Sequence, residues 1–198
     1  MPMGIAGFLN WILDRKETIR KEQLLKLREL PEARLQAEMG VVLHDVCVRH
    51  AAGFVKEELS RGASPFRGVE RTAFFHEIMI LNLWILDKTL AEKDKAVVSE
   101  VCRNYIRYFH VADGQREDHA LNSIFEKHRV YYEEWDEVKV TGRHDKFGFK
   151  VAELVMGGNS GNAPPEQALF WIISYTESAM KVFRNIRKKC LANGIRIR

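Results

Sequence analysis

Four titratable residues lie on the apolar faces of predicted helices, where an ionisable side chain needs a partner. His50 and His128 each interrupt an apolar stripe, and His76 and Glu77 are adjacent in the most apolar segment of the chain. Burying such a group is costly unless another group compensates it. Imidazoles and a carboxylate in one pocket would suit a metal ion, a proton transfer or a polar ligand. We predict a ligand-binding site formed by His50, His76, Glu77 and His128, with Tyr132 from the stripe of His128.

A structural role for the same residues is the alternative. In that case each histidine would be a core residue that donates to a backbone carbonyl. Glu77 would then pair with an arginine such as Arg49 or Arg103. The two interpretations differ in whether the helices bring the imidazoles and the carboxylate together.

A second group of residues follows the pattern of a metal-ligand doublet. The segment Val42-Leu43-His44-Asp45-Val46 resembles the His-Asp doublet of the HD metal-dependent phosphohydrolases, which are all-helical. That family also needs an upstream histidine, and no histidine precedes position 44. Without a metal, His44 and Asp45 would be two exposed polar residues of a helix. We predict no metal ligands, and the sequence indicates no particular cofactor.

Aromatic residues concentrate in the middle of the chain, at helical spacing. At this spacing they are expected to form the core, although a pocket lined by them would suit a flat or apolar ligand. The residues are Tyr105, Tyr108, Phe109, Phe125, Tyr131, Tyr132 and Trp135, with Trp84 and Trp171 in neighbouring elements.

The elements that must position these side chains are helices, because apolar residues recur at i, i+3 and i+4 along most of the sequence. The segment from Ala73 to Leu86 is apolar on nearly all sides, which predicts a helix at the centre of its domain. We predict an all-α fold, a single-domain antiparallel bundle of six or seven helices. The predicted helices cover residues 5–29, 32–60, 66–91, 95–112, 116–138, 145–156 and 165–192.

Residues 138–151 allow two predictions. Val138-Lys139-Val140 and Phe147-Gly148-Phe149 alternate like the strands of a small hairpin. A helix over 145–156 accommodates the same apolar residues. We favour the helix because an isolated hairpin is only marginally stable.

The 198 residues have a formal net charge of +4, and the positive charge is concentrated at the C-terminal end. Seven basic residues and no acidic one lie in 181–198, which leaves 24 basic against 27 acidic residues in 1–180. This distribution of charge disfavours nucleic-acid binding. Three widely spaced cysteines and the lack of a transmembrane segment predict a cytoplasmic protein.

Residues 1–30 form an amphipathic segment with Ile5, Phe8, Trp11 and Ile12 on one face. Such a segment would dock on the bundle of residues 31–198, on a partner protein or on a second copy. We predict a binding or protein-interaction module, with homo-oligomerisation through the N-terminal helix and a small-molecule ligand as a further option. The alternative is a metal- or ligand-binding enzyme with its site in the bundle core.

Overall fold

The computed structural model describes Ile19 and residues 21–90, 95–109, 117–141, 144–157 and 166–195. These residues form seven α-helices and no strand, which confirms the predicted all-α bundle. The helices are α1 (Lys21–Arg28), α2 (Glu32–Ser60), α3 (Arg71–Thr89), α4 (Lys95–Phe109), α5 (Glu117–Thr141), α6 (Asp145–Val155) and α7 (Glu166–Ala192). Most of the predicted N-terminal amphipathic segment lies outside the described residues.

Helix α3 is the centre of the bundle, as its composition predicts. It contacts α2, α4, α5, α6 and α7, and every residue from Ile78 to Leu86 is buried. Because it buries all of its sides, it needs no amphipathic stripe. The remaining helices surround it, with α2 against α4 and α6 against α7. Among the described residues, no helix is long and apolar enough to cross a membrane.

The first turn of α3 shows why the predicted start at residue 66 was five residues too early. Glu70 caps the helix, because its carboxylate accepts hydrogen bonds from the backbone N–H groups of Thr72 (2.8 Å) and Ala73 (2.6 Å). These hydrogen bonds hold the pKa of Glu70 below its usual value. The cap fixes the helix start at Arg71.

The segment that could have been a hairpin is helical wherever the structure describes it. Helix α5 continues to Thr141 and α6 begins at Asp145. Phe147 is fully buried while Phe149 is partly exposed, so their alternation reflects the two sides of a helix. Gly148 lets α6 approach α7, since a Cβ there would lie 3.0 Å from the side chain of Ile173.

A second close approach joins α2 to α4. A Cβ on Gly40 would lie 2.7 Å from the Cβ of Glu100, which is too short for any side chain. The glycine therefore sets the distance between the two helices. The surface that these helices share carries several aromatic residues described below.

Candidate functional site

The structure separates one of the five predicted site residues from the others. His50 lies on α2, and its ring centre is 6.3 Å from that of Phe183 on α7. Glu77 on α3 and His128 and Tyr132 on α5 lie where these two helices meet, whereas His76 on α3 contacts Tyr105 and Phe109 of α4. We call this α3–α5 interface, with the neighbouring face of α4, the polar seam.

Three polar pairs cross the polar seam from α3 to α5. Glu77 forms an ion pair with Lys127, which replaces the arginine partner predicted from the sequence. Asp87 accepts a hydrogen bond from the Tyr132 hydroxyl at 2.6 Å. The two arginines proposed as partners of Glu77 bind acidic residues on their own helices: Arg49 pairs with Asp45, and Arg103 pairs with Glu100.

The third pair joins Lys88 to Asp136 at 2.9 Å. On the α4 side, Nδ1 of His76 lies 2.7 Å from the hydroxyl oxygen of Tyr105. His76 and Glu77 therefore point to different partners even though they are adjacent in sequence.

His128 is the most deeply buried of the predicted site residues. Burial lowers its pKa to about 4, against a smaller opposing effect of the Asp87 charge. A hydrogen bond to the backbone of Ile80 engages the ring, and Nε2 has no partner among the described residues. At neutral pH this side chain is therefore an uncharged imidazole whose Nε2 accepts hydrogen bonds.

The polar seam contains four buried polar atoms that no described group satisfies. They are Glu77 Oε2, Trp84 Nε1, His128 Nε2 and the Tyr131 hydroxyl oxygen. Each such atom destabilises the fold by about 1–3 kcal/mol when nothing bonds it. Their concentration between two helices makes this interface a candidate polar site, and the ligand predicted for it from the sequence stays a prediction.

The residues that resemble the HD doublet are not arranged as metal ligands. Asp45 is exposed and pairs with Arg49 at 2.9 Å, and no group of three or more His, Cys, Asp or Glu in the described part of the chain could hold a metal ion. His44 is buried, contrary to the expected exposure, because its ring stacks on that of Tyr108 with centres 5.3 Å apart.

The surface around His44 is a second candidate region, which the sequence did not indicate. Tyr108 was expected in the core, yet it is 71% exposed. Phe109, 37% exposed, contacts the rings of His44 (6.2 Å) and Phe75 (5.4 Å). Val41, 47% exposed, lies one helical turn before His44. We call Val41, His44, Phe75, Tyr108 and Phe109 the aromatic patch.

The imidazole of His44 is the polar group of the aromatic patch, and it lies beneath the exposed ring of Tyr108. Burial lowers the pKa of His44, against a smaller opposing effect of Asp45, and Nε2 of His44 has no partner among the described residues. The patch thus combines exposed rings with a neutral imidazole whose Nε2 can form one further hydrogen bond.

No protein-family model, curated protein or solved structure matches this chain.

Proposed function

We propose that this chain is a protein-interaction module and that it self-associates through the aromatic patch. The observation that carries the proposal is the exposure of Tyr108 above a buried imidazole, in contact with a partly exposed phenylalanine cluster. Contiguous apolar surface on a folded domain marks sites of association. Tyrosine is one of the residues that contribute most to binding energy at such sites.

A second copy of the chain suits the charges at the border of the patch. On α2 the border carries Asp45 and Arg49, and on α4 it carries Glu100 and Arg103. A two-fold interface must complement itself, and a border with both signs of charge satisfies that requirement. The aromatic rings would meet at the centre, where interfaces are depleted of charge.

Sedimentation equilibrium of the full-length protein tests this proposal. We expect a concentration-dependent dimer, and we expect Tyr108→Ser to weaken it roughly tenfold or more, the scale of an interface hot spot. Phe170→Ser is the matched control, because Phe170 is an exposed ring on α7, outside the patch. A wild-type protein that stays monomeric up to its solubility limit contradicts the proposal.

The predicted N-terminal amphipathic segment is the competing contact surface. Phe8→Ser and Trp11→Ser in the full-length chain distinguish it from the patch, because both residues belong to the predicted apolar face of residues 1–30. If these substitutions abolish the dimer and Tyr108→Ser does not, the contact lies in the N-terminal helix.

A further inference from the structure

A cleft of about 400 Å³ lies between α5, α6 and α7, and none of its lining residues belongs to the polar seam or the aromatic patch. Its apolar lining consists of Phe149 of α6 and Leu169 of α7. Phe149 is 39% exposed, so its ring is accessible from solvent. Pockets of this volume hold small organic molecules. The cleft therefore has room for a small ligand and offers it an aromatic ring to contact.

Packing between the same three helices fixes the walls of the cleft. On the α7 side, Gly148 allows a close approach, since a Cβ there would lie 3.1 Å from the carbonyl oxygen of Leu169. On the α5 side, the ring centre of Trp135 lies 4.5 Å from that of His144 and 5.0 Å from that of Phe147. These contacts hold α6 between α5 and α7. The cleft is therefore formed before a ligand arrives, which lowers the cost of binding.

The charges that line the cleft do not balance, because three of the lining residues are acidic and two are basic. Lys150 pairs with Glu153 at 2.8 Å, so these two charges neutralise each other. The other charged lining residues are Glu134, Asp145 and Lys146, two carboxylates against one ammonium. Among the described residues, neither Glu134 nor Asp145 has an ion-pair partner. A ligand with one positive charge would balance the cleft.

We propose that this cleft binds a small arylalkyl ammonium ion, in which a short chain joins an aromatic ring to a primary amine. The ring of the ligand packs on Phe149 and Leu169. Its ammonium, which has three N–H donors, binds the carboxylates of Glu134 and Asp145. The proposal does not depend on self-association, because the aromatic patch lies on α2, α3 and α4.

The charge of the cleft favours a cation over other aromatic ligands. An anion would add to the negative charge already in excess, and Glu153 already engages the ammonium of Lys150. An uncharged ligand would leave that excess uncompensated. Because the cleft opens to water and Asp145 is exposed, each ionic contact contributes little, and we expect binding in the millimolar range.

A titration of the isotope-labelled full-length protein with phenethylammonium chloride, at constant ionic strength and low protein concentration, tests the proposal. We expect saturable shifts in the amide correlation spectrum at Asp145, Phe149 and Leu169. Phe149→Ser should raise the dissociation constant roughly fivefold, because it removes the ring contact. The double variant Glu134→Gln/Asp145→Asn should raise it by a similar factor, because it removes both carboxylates. None of these side chains is buried, so the variants should fold.

Neighbouring residues that do not line the cleft provide matched control variants. Phe170→Ser removes an exposed ring next to Leu169. Glu126→Gln/Glu133→Gln removes two exposed carboxylates of α5. Neither variant should change the dissociation constant of phenethylammonium.

A matched ligand tests the sign of the charge. Phenylpropionate has the same ring on a chain of the same length but ends in a carboxylate, and it should give no saturable shift at the cleft. Three results would overturn the proposal. They are the lack of saturable shifts at the cleft in the wild type, equal shifts with phenylpropionate, and unchanged binding in Phe149→Ser or in Glu134→Gln/Asp145→Asn.

Discussion

The polar seam and the aromatic patch place polar and apolar groups in opposite ways. In the seam, polar atoms of Glu77 and His128 are buried, and the ring of Trp84 at the same interface is fully buried. In the patch, the ring of Tyr108 faces solvent and the imidazole of His44 lies beneath it. Both regions have a buried nitrogen or oxygen without a partner among the described residues, but Tyr108 of the patch, at 71%, is the most exposed large hydrophobic side chain of those residues.

This difference separates stability from association. Trp84 and Tyr131 of the seam are fully buried, so they stabilise the bundle and are not accessible to a protein partner. A partner of the patch must bring an apolar surface of its own, because exposed rings gain most from exclusion of water. Substitutions should therefore affect stability in the seam and association at the patch.

The largest expected change in the free energy of unfolding comes from removing the ring of Trp84 at the centre of the seam. Trp84 is completely buried and contacts the rings of Tyr131, Tyr132, Trp135 and Phe147. Trp84→Ala should lower the free energy of unfolding by about 3–5 kcal/mol, measured by urea denaturation. A loss below about 1 kcal/mol would mean that the seam is not part of the stable core.

The second effect is a pH dependence of stability to which His128 of the seam contributes. The folded pKa of His128 is about 4, whereas an unfolded histidine titrates near 6.5. Between these pH values only the unfolded chain binds the proton, so stability is complete above about pH 6.5 and falls as the pH drops towards 4. The contribution is at most roughly 3 kcal/mol.

Urea denaturation across this pH range measures the effect. His128→Gln should flatten the decline in stability, whereas His119→Gln, at an exposed position of the same helix, should leave it unchanged. An equal decline in wild type and His128→Gln would show that His128 is not buried as a neutral imidazole.

The third effect concerns the helix pair that carries the patch. Gly40→Ala would bring a Cβ to 2.7 Å from the Cβ of Glu100 and force α2 away from α4. Overpacking costs about 1–3 kcal/mol, and the better helix propensity of alanine offsets about 1 kcal/mol of that. We expect a net loss of about 1 kcal/mol in urea denaturation, together with weaker self-association.

Gly62→Ala is the control for this substitution, because nothing lies within 4 Å of a Cβ at Gly62. It should leave both stability and association unchanged. If Gly40→Ala is as well tolerated as Gly62→Ala, the close contact of α2 and α4 does not determine the geometry of the patch.

The smallest expected effect on stability comes from the patch itself. Tyr108→Ser removes a ring that is mostly exposed, so the free energy of unfolding of the monomer should change by about 0.5 kcal/mol or less. Urea denaturation at low protein concentration measures it. A loss of several kcal/mol would indicate that Tyr108 is a core residue, as the sequence suggested.

The helices were predictable because each depends on local periodicity. The bounds of α2 and α7 agree with the pattern to within one residue, and the all-round apolar character of α3 correctly predicted its central place. The start of α3 was misplaced because the cap at Glu70 is a hydrogen-bond geometry that an apolar pattern does not encode.

The partners of the buried groups were not predictable in the same way. Glu77 pairs with Lys127, fifty residues away, and that choice depends on how far α5 is shifted along α3. Periodicity fixes which side of a helix is apolar, but not this shift. Similarly, Tyr105 and Tyr108 are three residues apart on α4, yet Tyr105 is fully buried and Tyr108 is 71% exposed.

The central claim is that the aromatic patch, and not the polar seam, is the surface of self-association. Amide correlation spectra of the isotope-labelled full-length protein, recorded at low and high concentration, test it most directly. We predict concentration-dependent shifts at Val41–Asp45 of α2 and Arg107–Phe109 of α4, with no change at His128 or Tyr132 of α5. Shifts confined to other helices, or spectra that do not depend on concentration, would contradict the claim.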